Sequence, residues 1–260
     1  MRIDSVGFVG GGRIARIMVE GWHHAAALPG DIVVSDPNRA TLDALSARFP
    51  SVKTCLGDNC KPAEQSVVFL GLHPAAFAEA LPALAAAVRP DSIVVSLAPK
   101  ISLQAMSTLL GGLDRIARAI PNAPSIVGSG YNPIAFGPNL DERARMTVHE
   151  LFAPLGQSPV VDEADLEAYA VTAAMGPTYL WFQLYELRRL AAEFGLSEEA
   201  AAAAVDRMAR GALDTIASSG LGPEQVMDLV PVHPLGEAEP AVLDAYRTSL
   251  PAVMDRIRPA

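Results

Sequence analysis

Gly7-Phe8-Val9-Gly10-Gly11-Gly12-Arg13-Ile14-Ala15-Arg16-Ile17-Met18-Val19-Glu20-Gly21 is the stretch on which the fold turns. An apolar run, Val6–Val9, leads directly into a Gly-x-Gly-x-x-Ala fingerprint from Gly10 to Ala15, and helical periodicity then runs from Arg13 to Trp22. Each small residue has a task. Gly10 permits a tight turn, Gly12 lets the backbone approach a pyrophosphate, and Ala15 lets the helix pack close to the strand. The start of that helix offers free N–H groups and a positive dipole end to phosphates. Asp36 closes the next apolar run, at the distance where a dinucleotide-binding unit keeps its ribose acceptor. Cofactor contacts are therefore expected from Gly10, Gly12, Arg13 and Ile14. Asp36 suits the hydroxyls of an adenosine ribose, which favours NAD, whereas Asn38 and Arg39 follow at once and a guanidinium there suits the 2′-phosphate of NADP. Both NADP and NAD stay open at this point.

Working outward, apolar runs at Asp31–Ser35, Ser66–Leu72, Ser92–Leu97 and Arg115–Ala119 read as strands, with helices at Arg39–Phe49 and Ala75–Val88 between them. Continuous apolar strands alternating with helices are the mark of a parallel sheet covered on both faces. Near Val161 the texture changes, and no strand is expected from Asp162 onward. Asp162 reads as an N-cap, Pro177 suits a first helical turn, Gly195 reads as a stop, and Ser197 opens a helix with acidic residues in its first turn. Gly220, Gly222 and Pro231–Pro240 read as irregular connections. The expected fold is α/β: a Rossmann doubly wound parallel sheet over residues 1–161, followed by an all-helical dimerisation and substrate domain over residues 162–260.

The 260 residues are 50% hydrophobic and 19% charged, enough for a substantial core. A net charge of -9 argues against a nucleic-acid binder with a broad basic face and against docking on an anionic membrane. The N-terminal apolar run is too short for a signal peptide. Cys55 and Cys60 fit neither a CxxC nor a zinc spacing and read as free thiols of a reducing cytoplasm. His23, His24 and His149 form no recognisable metal set. Ala168–Tyr185 carries no charge but is interrupted by Gly176-Pro177, and reads as a helix buried at a subunit interface rather than a membrane span.

Five segments in order, GFVGGGRIARIMVEG, SVVFLGLHP, IVVSLAPKIS, RAIPNAPSIVGSG and LFAPLGQSPVVDEADLEAYAVTAAMGPTYLW, together resemble the pyrroline-5-carboxylate reductase family from about Val6 to about Val230. The resemblance implies a Rossmann domain, a helical domain that interlocks with its partner in an obligate homodimer or higher oligomer, and a small-molecule substrate. It also implies cofactor contacts from Leu72, His73, Pro74, Ala98 and Asn122. Departures cluster where the substrate is held in that family. The family's SGSGPAY appears as Ala173-Ala174-Met175-Gly176-Pro177-Thr178-Tyr179, without the two serines. The SPGGTT loop that cradles the substrate carboxylate is replaced by Val230–Glu237, the lysine of a Lys-Pro pair by His73, and a small residue by Lys100.

Within this region Lys100, Tyr179, which stands in the part of the motif that survives, and Thr178 are the candidates for the chemistry, and Met175, Gly176 and His233 for substrate contact. The function expected from the resemblance is NAD(P)H-dependent hydride transfer to a C=N bond of a small cyclic imine or related compound. The alternatives are a small oxo- or hydroxy-acid oxidoreductase of the same architecture and a catalytically lapsed dinucleotide-binding protein.

Overall fold

The computed structural model describes residues 4–259. The backbone divides into two compact units, one of residues 1–175 with 253–260 and one of residues 176–252.

The first unit alternates β1 (Ser5–Val9), α1 (Arg13–His24), β2 (Asp31–Asp36), α2 (Arg39–Arg48), β3 (Val52–Leu56), α3 (Cys60–Ala63), β4 (Val67–Leu70), α4 (Phe77–Leu84), β5 (Ile93–Ser96), α5 (Leu103–Leu109) and β6 (Ile116–Ala119). There follow β7 (Gly130–Tyr131), β8 (Ile134–Phe136), α6 (Glu142–Phe152), β9 (Gly156–Gln157) and α7 (Leu166–Tyr169). The main sheet has the order β3-β2-β1-β4-β5-β6-β8, parallel except for the antiparallel β6–β8 pair. β1, β4 and β5 read as near-continuous apolar runs because they lie at the centre of the sheet and bury both faces. One face packs Phe8, Phe69 and Val95 against Trp22 and Phe152, and the other packs Val9, Val68 and Val94 against Phe77, Leu81 and Met106. The expected α/β sheet is therefore present.

Several elements differ from expectation. β3 was not expected, because Val52–Leu56 is an edge strand with only Val52 fully buried and so lacks the apolar continuity of a central strand. The expected helix Ala75–Val88 starts as a 3-10 turn at Pro74–Ala76, and its α-helical part ends at Leu84. Pro82 removes the N–H that would bond back to Ala78. Asp162 makes no side-chain capping bond, since the chain enters the next helix through a 3-10 turn, Glu163–Asp165. The uncharged stretch is not one helix: α7 ends at Tyr169, a π-helical segment spans Ala170–Ala174, and α8 (Pro177–Glu193) starts anew. The last strand-like pairing in the chain is Ile134 with Val160, at the point where the sequence changes texture.

The second unit contains α8, α9 (Glu198–Ser218), α10 (Pro223–Met227) and all but the end of α11 (Glu239–Ile257). Pro177 stands in the first turn of α8, Gly195 has φ +102 just after its end, and the Ser197 hydroxyl accepts from the N–H of Ala200, as the sequence led us to expect. Ala201 and Val205 are the buried hydrophobic residues of this unit. No described helix is long and apolar enough to cross a membrane.

Candidate functional site

Parallel strands bring their carboxyl ends to one edge. Along that edge the chain leaves β1 into Gly10–Gly12, β2 into Asp36–Arg39, β4 into Leu72–Pro74, β5 into Ala98–Lys100 and β6 into Asn122. In open α/β sheets this is where ligands bind.

Gly10 has φ +103, and a side chain there would lie 2.6 Å from the carbonyl oxygen of Gly71, so a bulkier residue is excluded twice over. A Cβ on Gly12 would meet nothing within 4 Å and would project into open space in front of α1. Gly12 is the N-cap of α1, no side chain caps the helix, and its first turn holds no acidic residue. A 12-residue helix thus presents its free N–H groups and positive dipole end uncovered. These features fit the pyrophosphate of a dinucleotide. Ala15 is fully buried, as the close approach of helix and strand requires.

The β2–α2 turn is built from the inside. Asp36 accepts from the N–H of Gly11 at 2.9 Å and from that of Asn38 at 2.8 Å, one through each carboxylate oxygen. The Asn38 side-chain oxygen caps α2 by accepting from Ala40 and Thr41. Both side chains expected to face the cofactor therefore also hold the loop that would receive it. Arg13 and Arg39 are exposed and form no ion pair among the described residues. A hollow of about 280 Å³ lined by Gly11, Gly12, Arg13, Arg16 and Thr41 lies beside the glycine loop. A larger one, about 590 Å³, opens at the opposite edge of the sheet, where Arg115 is paired with Asp141 at 2.6 Å, and is not part of the site.

Asn122 is only 7% exposed, and its side chain is committed within the protein. Its amide nitrogen donates to the carbonyl of Ala173 at 3.2 Å, and its oxygen accepts from the N–H of Tyr131 at 3.1 Å. It ties the loop after β6 to the π-helical segment rather than offering a free amide. Asn132, which the sequence did not single out, supports the same loop by accepting from the N–H of Asn122 and the hydroxyl of Ser125. His73 is exposed, and its Nδ1 accepts from the N–H of Ala75. Leu72 is half-buried, Ala98 is buried, and Pro74 opens the 3-10 turn before α4.

Lys100 is exposed, with φ +78, in the left-handed region that costs a side-chain-bearing residue about 1–2 kcal/mol. Its N–H donates to Glu167 Oε1 at 3.3 Å. The chain has three lysines; Lys53 pairs with Asp31 and Lys61 with Asp58, while the Lys100 ammonium has no ion-pair partner among the described residues. Met175 ends the first unit, its N–H bonding to Ala170 in the π-helical manner.

Gly176, Thr178, Tyr179 and His233 belong to the second unit. Thr178 is exposed, in the first turn of α8. Burial pushes the Tyr179 phenol above its ordinary value, and the neighbouring Tyr246, edge-on with ring centroids 5.8 Å apart, pushes it further the same way. Both effects favour the protonated phenol. His233 is exposed, and its Nε2 is 3.2 Å from the carbonyl of Met227, so that nitrogen carries the proton. Among the described residues no group of three or more His, Cys, Asp or Glu is arranged to hold a metal.

The family model described as "NADP oxidoreductase coenzyme F420-dependent" matches residues 5–100, the glycine loop through Lys100. The pyrroline-5-carboxylate reductase of Haemophilus influenzae is 26% identical over 216 residues, which covers 82% of this chain and 78% of that protein. Along most of its length, and at low identity, the chain is similar to pyrroline-5-carboxylate reductases. Solved structures carry the same fold. A pyrroline-5-carboxylate reductase from Coxiella burnetii superposes with a TM-score of 0.73 at 24% identity, covering 99% of this chain and 98% of that one. The pyrroline carboxylate reductase of Plasmodium falciparum, solved with NADP bound, gives 0.78 at 17% identity, covering 98% and 97%.

Proposed function

We propose that this chain is an NAD(P)H-dependent reductase that transfers hydride to a C=N bond of a small anionic imine. The observation that carries the reading is the uncapped start of α1 behind Gly12, on the same sheet edge as the unpaired Lys100. A bound reduced nicotinamide supplies the hydride. The chain's own residues do the rest. The N–H groups of the glycine loop and Arg13 hold the pyrophosphate, and Lys100 anchors the substrate anion.

Pyrroline-5-carboxylate itself is a poor fit for this reading. Ala173 and Met175 cannot donate hydrogen bonds from their side chains, and a carboxylate buried without a donor costs about 1–3 kcal/mol for each one lost. The same loss, with Lys100 as proton donor to a developing alkoxide, supports the second reading, a small oxo-acid reductase. For the cofactor, the Arg39 guanidinium, which forms no ion pair among the described residues, favours NADPH, and Asp36 opposes it by like charge.

The second unit supports a homodimer. Trp181, Phe182, Tyr185, Leu213 and Ile216 are exposed on α8 and α9. An apolar hollow of about 480 Å³ lies between α8 and α11, lined by Tyr179, Phe182, Val242, Tyr246 and Leu250. A second copy of the chain is the occupant we propose for these surfaces, with an interface above about 2,000 Å².

The test is a panel of small cyclic imines and 2-oxo acids with NADPH and NADH, followed as cofactor oxidation. Turnover of an anionic imine is the expected result. Turnover of 2-oxo acids alone selects the second reading, and cofactor binding with no turnover across the panel rejects both.

A further inference from the structure

Arg118 is fully buried on β6, beside Ser96, the residue at which the chain leaves β5 for the Lys100 loop. Its guanidinium has two arms. Nη1 donates to Glu163 Oε1 at 3.0 Å, and that same oxygen accepts the N–H of Leu103 at 2.6 Å. Nη2 donates to Glu167 Oε1 at 2.5 Å, and that oxygen accepts the N–H of Lys100. Glu167 is 2% exposed and Glu163 32%. A single buried cation thus sets two carboxylates, and each carboxylate grips one end of the segment Lys100–Leu103.

That segment needs gripping. Lys100 stands in a backbone conformation that suits glycine, and it is the one lysine of the chain without an ion pair among the described residues. A strained position kept by a long cationic side chain, and over-determined by a buried ionic pair, is the pattern of a side chain held for use.

We infer that Arg118, acting through Glu163 and Glu167, is a positioning residue that fixes the Lys100 loop and so aims its ammonium at an anionic substrate. The inference rests on the reading of Lys100 as the substrate anchor.

Two measurements test it on the full-length protein with NADPH bound. Hydrogen exchange reads the grip: Glu167→Ala speeds exchange of the Lys100 amide at least tenfold and Glu163→Ala that of Leu103, while Glu167→Gln, which keeps an acceptor, restores most of the protection. Unchanged exchange in both alanine variants overturns the clamp. The second measurement is a double-mutant cycle on kcat/KM, with the anionic imine or 2-oxo acid of the panel that turns over fastest as the probe. Glu167→Ala lowers kcat/KM at least tenfold in the wild-type background and less than twofold in Lys100→Gly. A merely structural role for Glu167 gives the same loss in both backgrounds and overturns the clamp while leaving Lys100 as anchor. A Lys100→Gly protein as active as the wild type removes the anchor and, with it, the clamp's purpose.

Discussion

Residues 5–175 and residues 176–252 are both rich in apolar side chains, yet they use them in opposite ways. The first unit turns Phe8, Phe69, Trp22 and Phe152 inward until none is exposed, whereas the second leaves Phe182 67% and Tyr185 69% exposed. The difference teaches that apolar content alone does not define a self-sufficient domain. A sheet covered on both faces closes its own core. A few long helices with two buried hydrophobic residues between them do not, and the surface they expose calls for a partner.

The largest effect should come from challenging that difference with charge. Met146 in the first unit and Phe182 in the second are both exposed hydrophobics in the single chain. Phe182→Glu is expected to break assembly or folding, since an unpaired charge in a buried interface costs about 3–5 kcal/mol. Met146→Glu is expected to change melting by no more than a degree or two. Equal, small effects in sizing and thermal melts would erase the contrast.

The next prediction belongs to the first unit alone. Gly12→Val places its side chain where no protein atom lies within 4 Å, so the fold should persist. NADPH affinity should fall at least 100-fold, about 2.8 kcal/mol, by fluorescence titration. Affinity within threefold of the wild type would detach the glycine loop from cofactor binding. For the substrate, kcat/KM on pyrroline-5-carboxylate is expected below the ~10⁴ M⁻¹s⁻¹ of an ordinary working enzyme. An efficient rate in a coupled absorbance assay would mean that the donors lost at Ala173 and Met175 are not needed.

The smaller effects lie at single side chains. Arg39→Ala should weaken NADPH about tenfold and NADH hardly at all, and equal losses would show that the guanidinium does not read the 2′-phosphate. Lys100→Gly should not lower Tm. Relief of a left-handed side chain, about 1–2 kcal/mol, outweighs the entropy cost of glycine, about 0.5–1 kcal/mol. A clear loss of stability would place Lys100 among structural rather than functional residues.

What could be read from the sequence divides along physical lines. Local signals were legible. The glycine turn at Gly10–Gly12, the buried runs of β1, β2, β4 and β5, the cap at Ser197 and the stop at Gly195 each depend on a few consecutive residues. The edge strand β3 was not, because half-exposed strands carry a mixed pattern. Nor was the tie from Arg118 to Glu163 and Glu167, which spans 45 and 49 residues and is made only when the chain folds. The left-handed turn at Lys100 was hidden for a related reason: lysine gives no sign of positive φ, and the bond to its N–H comes from Glu167 on a distant helix. Asn122, a cofactor contact by the resemblance, has a side chain that bonds to Tyr131 and Ala173, partners that no local sequence pattern announces.

The first unit closes its own core, and the second is proposed to be completed by a second copy of the chain. The native mass of the purified protein at micromolar concentration, by sizing coupled to light scattering, addresses that proposal most directly. A mass of two chains or a multiple of two, with no stable monomer on dilution until folding is lost, is the result this account predicts. A soluble, folded monomer that persists at micromolar concentration would contradict it.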